Sequence, residues 1–258
     1  MTPSSAINLS DAEIALLEQC ALNAWPALVT VDCGGWALRS AGGYTKRANS
    51  ANAVAPRHPF DSVRRTAEAH YGALGLPTIF RLSPLAPVCA DATLAAAGYV
   101  LVDPSLVMVA ALDHGAAESG AILAPGPSPE WIEGIAKASG EYGDQVDRHA
   151  AILNAIEAPA CFVTIHAQGI AAGFGLGVLE QGRLGLFDIA VLPAARGQGW
   201  GRAATRALLD WGRAQGARSA YLQVTAANRV ARGLYGSLGF AEAYSYHYRM
   251  QAPPCTLA

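Results

Sequence analysis

Charge is scarce in this chain and nowhere concentrated. Charged residues fill 15% of 258 positions, the formal net charge is −2, and there is no basic block. Proteins that grip nucleic acid normally present a concentrated basic face, so no nucleic-acid partner is expected. No uninterrupted apolar run is long enough to span a bilayer, and the start, M-T-P-S-S-A-I-N, has neither a basic n-region nor an apolar h-region. The expectation is a cytoplasmic protein with no membrane partner. The five cysteines, Cys20, Cys33, Cys89, Cys161 and Cys255, lie far apart and form no C-x-x-C pair, which excludes a zinc or dithiol motif and points to reduced thiols. His114, His149, His166 and His247 show no metal spacing, and no metal is expected. What the chain has in quantity is apolar surface: 52% of its residues are hydrophobic, enough for a sizeable core.

The most informative stretch is Leu184 to Gly201, L-G-L-F-D-I-A-V-L-P-A-A-R-G-Q-G-W-G. Leu184 to Leu192 reads as a buried strand, with Phe187, Ile189 and Val191 as strong β formers. Pro193 ends it, having no N–H to give to a ladder. Gly197, Gly199 and Gly201 alternate through a turn, and Trp200, Ala203, Ala204, Ala207, Leu208 and Trp211 then recur at helical spacing until Gly216. A glycine-rich turn at a helix start brings unpaired N–H groups and partial positive charge close to an anion, and Arg196 adds a fixed one. A pyrophosphate suits such a turn.

Two common phosphate motifs do not fit. A dinucleotide fold needs G-x-G-x-x-G and an acid ending the next strand, whereas here the spacing is R-G-x-G-x-G and the strand Ser219 to Thr225 ends without an acid. A P-loop needs G-K-[ST], and Gly201 is followed by Arg202 and Ala203. The string Val191 to Gly201, V-L-P-A-A-R-G-Q-G-W-G, instead closely resembles the acyl-coenzyme A motif of the GNAT acetyltransferase superfamily, [RQ]-x-x-G-x-[GA] after a strand ending in V-x-P. The second family signature, N-x-x-A-x-x-L-Y-x-x-L-G-F, is matched in register by Asn228, Ala231, Leu234, Tyr235, Leu238, Gly239 and Phe240. The resemblance covers the second half of the chain.

It implies acetyl-CoA as co-substrate and assigns roles. Backbone groups along Ile189, Ala190 and Val191 would pair with the pantetheine arm as a false extra strand. Arg196, Gly197, Gln198, Gly199, Trp200, Gly201 and Arg202 would hold the pyrophosphate. Asn228 would bond the pantetheine, although a residue just before a helix also serves as an N-cap. Arg232 is close enough to reach coenzyme phosphates, or forms part of a solvated helix face. Tyr235 matches the tyrosine that protonates the leaving thiolate; the plainer reading is a helix tyrosine packed on Leu238 and Phe240. Asp188 is costly to bury unpaired midway along an apolar strand. It is a base, a binder of the acceptor ammonium, or one end of a structural hydrogen bond.

Along the rest of the chain, Ser10 and Glu13 form a capping box for a helix carrying Ile14, Leu17, Ala21 and Leu22. Leu28 to Cys33 is a strand, Pro59 to Gly72 a helix, Thr78 to Leu82 a strand, Asp91 to Ala97 a short helix, and Tyr99–Asp103 with Leu106–Leu112 a strand pair. The polar segment Trp36 to Val54, with Arg39, Tyr44, Arg47, Asn49 and Ser50, is either part of an acceptor pocket or, the favoured reading, an exposed hairpin. Its order of elements repeats that of the second half, where helices at Glu130–Ser139 and Val146–Ile156 precede strands at Ala160–His166 and Ile170–Leu179.

The fold expected is therefore α/β, a mixed sheet with helices on both faces, in two tandem GNAT-like domains: a degenerate copy over 1–114, a linker over 115–128 and a catalytic copy over 129–258. The first copy has A-P-R-H-P-F where the glycine turn would stand, so it binds no coenzyme A. The function expected is direct transfer of an acetyl group from acetyl-CoA to a primary amine of a small molecule or peptide, by a monomer or homodimer. A non-catalytic acyl-CoA sensor and a transferase for longer acyl chains stay open as alternatives.

Overall fold

Helix α1 (Asp11–Ala24) starts with the capping box read above: Ser10 Oγ accepts from Glu13 N–H, and the Glu13 carboxylate accepts from Ser10 N–H at 2.8 Å. The computed structural model of the chain describes residues 7–112 and 121–251. His114, Cys255 and residues 115–120 of the linker expected over 115–128 lie outside the described residues. Strands β1 (Val29–Cys33), β2 (Trp36–Ser40) and β3 (Ala51–Ala53) lead to helix α2 (Phe60–Ala73), strand β4 (Ile79–Leu82), helix α3 (Cys89–Ala96) and strand β5 (Tyr99–Ala111). The second half comprises β6 (Ile122–Ala124), α4 (Pro129–Ser139), α5 (Asp144–Asn154), β7 (Ala160–Ala167), β8 (Ile170–Glu180), β9 (Arg183–Val191), α6 (Trp200–Ala214), β10 (Ser219–Thr225), α7 (Arg229–Gly236) and β11 (Ala241–Gln251).

All eleven strands join one sheet in the order β1-β2-β3-β4-β11-β5-β10-β9-β8-β7-β6. The order is mirrored about its centre. Apart from the short outer strand β6, which has no counterpart beyond β1, the pairs from the outside inward match: β1/β2 and β7/β8 are antiparallel, β2/β3 and β8/β9 antiparallel, and β3/β4 and β9/β10 parallel. Helices α2 and α6 make the two parallel crossovers. Each half then hands its last strand to the other: β11 pairs with β4, β5 pairs with β10, and β5 and β11 pair with each other. The element order that suggested a duplication is thus repeated in the strand pairing as well.

Helices cover both faces. On one, α6 packs Ala204, Ala207 and Leu208 against Val163, Leu184 and Leu186. On the other, Trp25 of the first half joins Trp131, Ile135 and Ile152 over Phe174, Leu176 and Phe187. The C-terminal carbonyls of α1 are met by the buried Arg39 guanidinium, which donates to Leu22 O at 2.9 Å and Trp25 O at 2.6 Å. The negative end of the helix dipole compensates its charge. Nearby, Arg81 on β4 forms a buried two-pronged pair with Glu18 on α1, and Tyr244 on β11 donates to Glu18 at 2.7 Å. That cluster ties the halves together.

Two sequence readings need correction. The pair of strands at 99–103 and 106–112 is one strand, β5, interrupted by a bulge. Asp103 takes φ 47°, Pro104 has no N–H, and the register with β11 slips between Tyr246 and Tyr248. The Trp36–Val54 segment is not an exposed hairpin: Trp36, Arg39, Asn49 and Ser50 are all buried. Its polarity serves irregular backbone inside the protein. Asn49 Oδ1 accepts from Ala41 and Gly43 N–H, and its amide donates to Thr45 O. Among the described residues, no helix is long and apolar enough to cross a membrane.

Candidate active site

The site starts from a bulge in β9. Phe174 faces Ala190 and Leu176 faces Phe187, so Gly175 alone stands opposite both Asp188 and Ile189. A Cβ at position 175 would meet Ile189 Cδ1 at 2.7 Å, so glycine is the residue that lets the bulge close. Asp188 takes φ 48°, a conformation that aspartate tolerates better than most residues. Pairing of β9 with β10 stops just before it, at Leu186↔Leu222. Phe187–Val191 and Gln223–Thr225 then run on without pairing to each other. The resulting slot exposes strand edge, including Ile189, Ala190 and Val191, to any extended chain that carries amides.

At the end of the slot comes the glycine turn. Gly197 and Gly199 have φ 78° and 87°, and α6 begins at Trp200 with Gly199 as its cap. Among the described residues, no backbone carbonyl accepts from the N–H groups of Gly197, Gln198, Gly199, Trp200, Gly201 or Arg202. These amides and the helix dipole form an anion site. The exposed Arg196 side chain bonds Val191 O and Ala138 O at 3.3 and 3.4 Å and pairs with no carboxylate among the described residues. The Trp200 ring is half-buried in the core under α6, so its contribution to the amide row is its backbone. Arg202 donates to Ser237 Oγ at 2.6 Å.

Helix α7 closes the other side. Asn228 is its N-cap, accepting from Ala231 N–H at 3.0 Å. Arg232 spans Ala226 O and the Glu242 carboxylate, at 3.0 and 2.7 Å. A methyl group on Gly201 would touch Val191 and Leu234 at 3.6 and 3.7 Å, so the start of α6, the end of β9 and α7 meet at one point. Tyr235 follows Leu234. It is buried, edge-on to Phe240, and its hydroxyl meets no hydrogen-bond partner among the described residues. Burial pushes its pKa up to about 12, so the phenol keeps its proton at neutral pH.

Across the sheet from α6, the bulge aims Asp188 at a histidine. His149 on α5 bonds Asp188 Oδ2 through Nε2 at 2.8 Å, and its Nδ1 lies 3.4 Å from Glu141. Tyr44, from the first half, donates to Glu141 at 2.6 Å and stacks on the imidazole, centroids 5.0 Å apart. Burial works against a charge on His149, but the carboxylates of Asp188 and Glu141 outweigh it and hold its pKa above the usual 6.5. No donor meets Asp188 Oδ1 among the described residues. Such a site receives an ammonium and can take a proton from it.

Sequence reasoning placed Asp188 and named Tyr44 within its polar segment, but it missed His149 and Glu141. The available signal was His149 three and four residues before the buried Ile152 and Leu153, an ionisable ring on the apolar stripe of α5. The linkage has a measurable consequence. The folded state holds the His149 proton more tightly than the unfolded chain does, so this stabilisation is complete below pH 6.5 and is lost as pH rises through the raised folded-state value. Melting temperatures of the wild type and His149→Gln should therefore converge between pH 6 and pH 9; a gap that widens over that range would contradict the charged pairing.

Comparison with known proteins rests on this geometry. The family model described as "Probable histone acetyltransferase Rv0428c C-terminal" matches residues 11–249. The chain belongs to this acetyltransferase family. Within the GNAT superfamily it is similar to the uncharacterized N-acetyltransferase YobR of Bacillus subtilis (strain 168), at 31% identity over 248 residues, 93% of this chain and 99% of that one. A shorter match, 40% over 75 residues, links 29% of this chain to 51% of the [ribosomal protein bS18]-alanine N-acetyltransferase of Escherichia coli (strain K12). The GCN5-related N-acetyltransferase from Kribbella flavida superposes with a TM-score of 0.65 over 98% of both chains at 16% identity. A tandem GNAT protein from the clavulanic acid biosynthesis pathway does so with 0.59, over 96% of this chain and 98% of that one, also at 16%. The last two establish the GNAT fold, and the tandem neighbour agrees with the mirrored sheet.

Proposed function

We propose that this GNAT protein is an acetyl-CoA-dependent N-acetyltransferase that transfers the acetyl group directly to a primary amine within a ternary complex. One observation carries the reading: the strand slot, the row of free amides and an acidic cluster converge on the Asp188 bulge. In this reading, edge groups of Ile189, Ala190 and Val191 pair with the pantetheine, Arg196 and the amides of Gly197 to Arg202 hold the pyrophosphate, and Asn228 and Arg232 bound the arm from α7. Acetyl-CoA supplies an activated acyl thioester. Asp188 takes a proton from the acceptor ammonium, directly or through water. The freed nitrogen lone pair forms the C–N bond, the C–S bond breaks, the Tyr235 hydroxyl gives its proton to the departing thiolate, and the second proton on the nitrogen passes to the resulting tyrosinate.

We also read residues 1–114 and 129–258 as the two copies of a duplication joined by 115–128, with coenzyme bound by the second alone. The mirrored pairing supports the duplication. The first copy has Pro56 and Pro59 where the second has its glycine turn, and Pro59 itself caps α2.

Calorimetric titration of the whole chain with acetyl-CoA, with NAD and ATP as controls, tests the core of the proposal. One site per chain is expected. Two sites would give the first copy a binding function, and none would remove the transferase reading. Tyr235→Phe should then lower turnover about 10- to 100-fold with coenzyme affinity nearly constant. An unchanged rate would assign the thiolate's proton to another donor.

A further inference from the structure

We propose that the acceptor is an amine bearing a carboxylate a few bonds from its nitrogen, as in a free amino acid, and that Arg47 holds that carboxylate. The inference rests on the transferase reading above and concerns the same site.

Arg47 belongs to the first half, in the short 3-10 turn Lys46–Ala48, yet it reaches the slot of the second. Its backbone oxygen is held by the buried Arg39 guanidinium at 2.7 Å. Its Nε donates to Gln223 Oε1 at 3.0 Å, and Tyr246 donates to the same oxygen. Its guanidinium carbon lies 5.6 Å from the ring centroids of both Trp25 and Phe187. Phe187 and Gln223 are the first residues past the last β9–β10 pair. Arg47 therefore bridges the two strands where they part, beside the bulge at which transfer takes place.

Its charge is uncommitted. Lys46 next to it pairs with Asp103, and Arg39 is satisfied by carbonyls, but no carboxylate lies within 4 Å of Arg47 among the described residues. Its two Nη groups have no partner among those residues. His149, bonded to Asp188 and beside Glu141, also lies 5.6 Å from the Trp25 ring. The Trp25 ring thus has near it a guanidinium with free Nη groups and a carboxylate with a free Oδ1. A zwitterion matches both: its ammonium faces Asp188 Oδ1, and its carboxylate takes the planar fork of Arg47 Nη1 and Nη2. An acceptor without the carboxylate leaves the fork unpaired, and sites built around such a bond discriminate strongly against the analogue that lacks it.

The test measures coenzyme A thiol release by the full chain with acetyl-CoA on matched pairs, each proteinogenic amino acid against its carboxamide. Where a pair turns over, the acid should exceed the amide in kcat/KM by on the order of 10- to 100-fold. Arg47→Met should collapse that ratio towards one. Arg47→Lys should fall between, since an ammonium keeps the charge but not the fork. Circular dichroism and acetyl-CoA affinity establish that both variants are folded. Amides used as well as acids, or turnover confined to amines without a carboxylate, would overturn the inference and leave the transferase reading intact. Absence of turnover on any amine, with acetyl-CoA bound, would overturn both.

Discussion

Asp188→Asn should lower kcat/KM by about two to four orders of magnitude, the range associated with loss of a general base. The substitution suits this position. Asparagine shares aspartate's tolerance of positive φ, so the bulge at φ 48° should persist. Its amide oxygen can still accept from His149 Nε2, now 2.8 Å from Asp188 Oδ2. What disappears is the charge and the ability to accept a proton. Acetyl-CoA affinity, set by the slot and the amide row, should change by no more than about twofold, equivalent to less than half a kcal/mol. Asp188→Ala is the informative companion, because it also leaves the His149 proton without its partner and should lower the melting temperature as well. Full activity in Asp188→Asn would reduce the carboxylate to a structural partner of His149 and move the base elsewhere.

Gly199→Asp should weaken acetyl-CoA binding by more than about a hundredfold. Gly199 sits at φ 87° with no atom within 4 Å of the Cβ position, so the new side chain meets no steric obstacle. Two costs remain. The left-handed backbone costs a residue with a side chain roughly 1–2 kcal/mol. A carboxylate in the amide row then repels the phosphates, at about 1–4 kcal/mol per close charge pair in partly solvated surroundings. Gly199→Asn carries the same backbone cost without the charge, and the difference between the two variants isolates the electrostatic part. Because the turn is exposed, both proteins should fold, and the loss should appear in titration rather than in melting. Undiminished binding by Gly199→Asp would mean that the phosphates lie away from this turn.

The second half was legible because its signals are local. The strand, the proline stop, the glycine alternation and the apolar stripe of α6 follow one another within the 31 residues from Leu184 to Ala214, and each reflects a backbone requirement written at its own position. Ser10 announced its helix in the same way. The exchange of β5 and β11 was invisible, since the alternation of a strand says which face is buried but not which distant strand it joins. Asp103-Pro104 looked like a break between strands because a proline and a positive φ end most ladders; here a bulge absorbs both. The polar run from Trp36 to Val54 read as surface, although its side chains satisfy backbone inside the protein. His149 gave no motif at all, because its partners, Glu141, Asp188 and Tyr44, come from three separate segments.

The reciprocal placement of β5 and β11 bears on how the chain comes off the ribosome. A nascent chain that has emerged as far as residue 240 holds every strand of its first half and still cannot close that half's sheet, because the strand that belongs between β4 and β5 starts at Ala241. Neither copy can be a folding unit by itself. Strand β11 must be made before β4 is joined to β5, and the exposed edge of β4 must be kept apart meanwhile. The same interlock gives the first half a reason to persist: it contributes the thirteen-residue strand that pairs with β10 of the second.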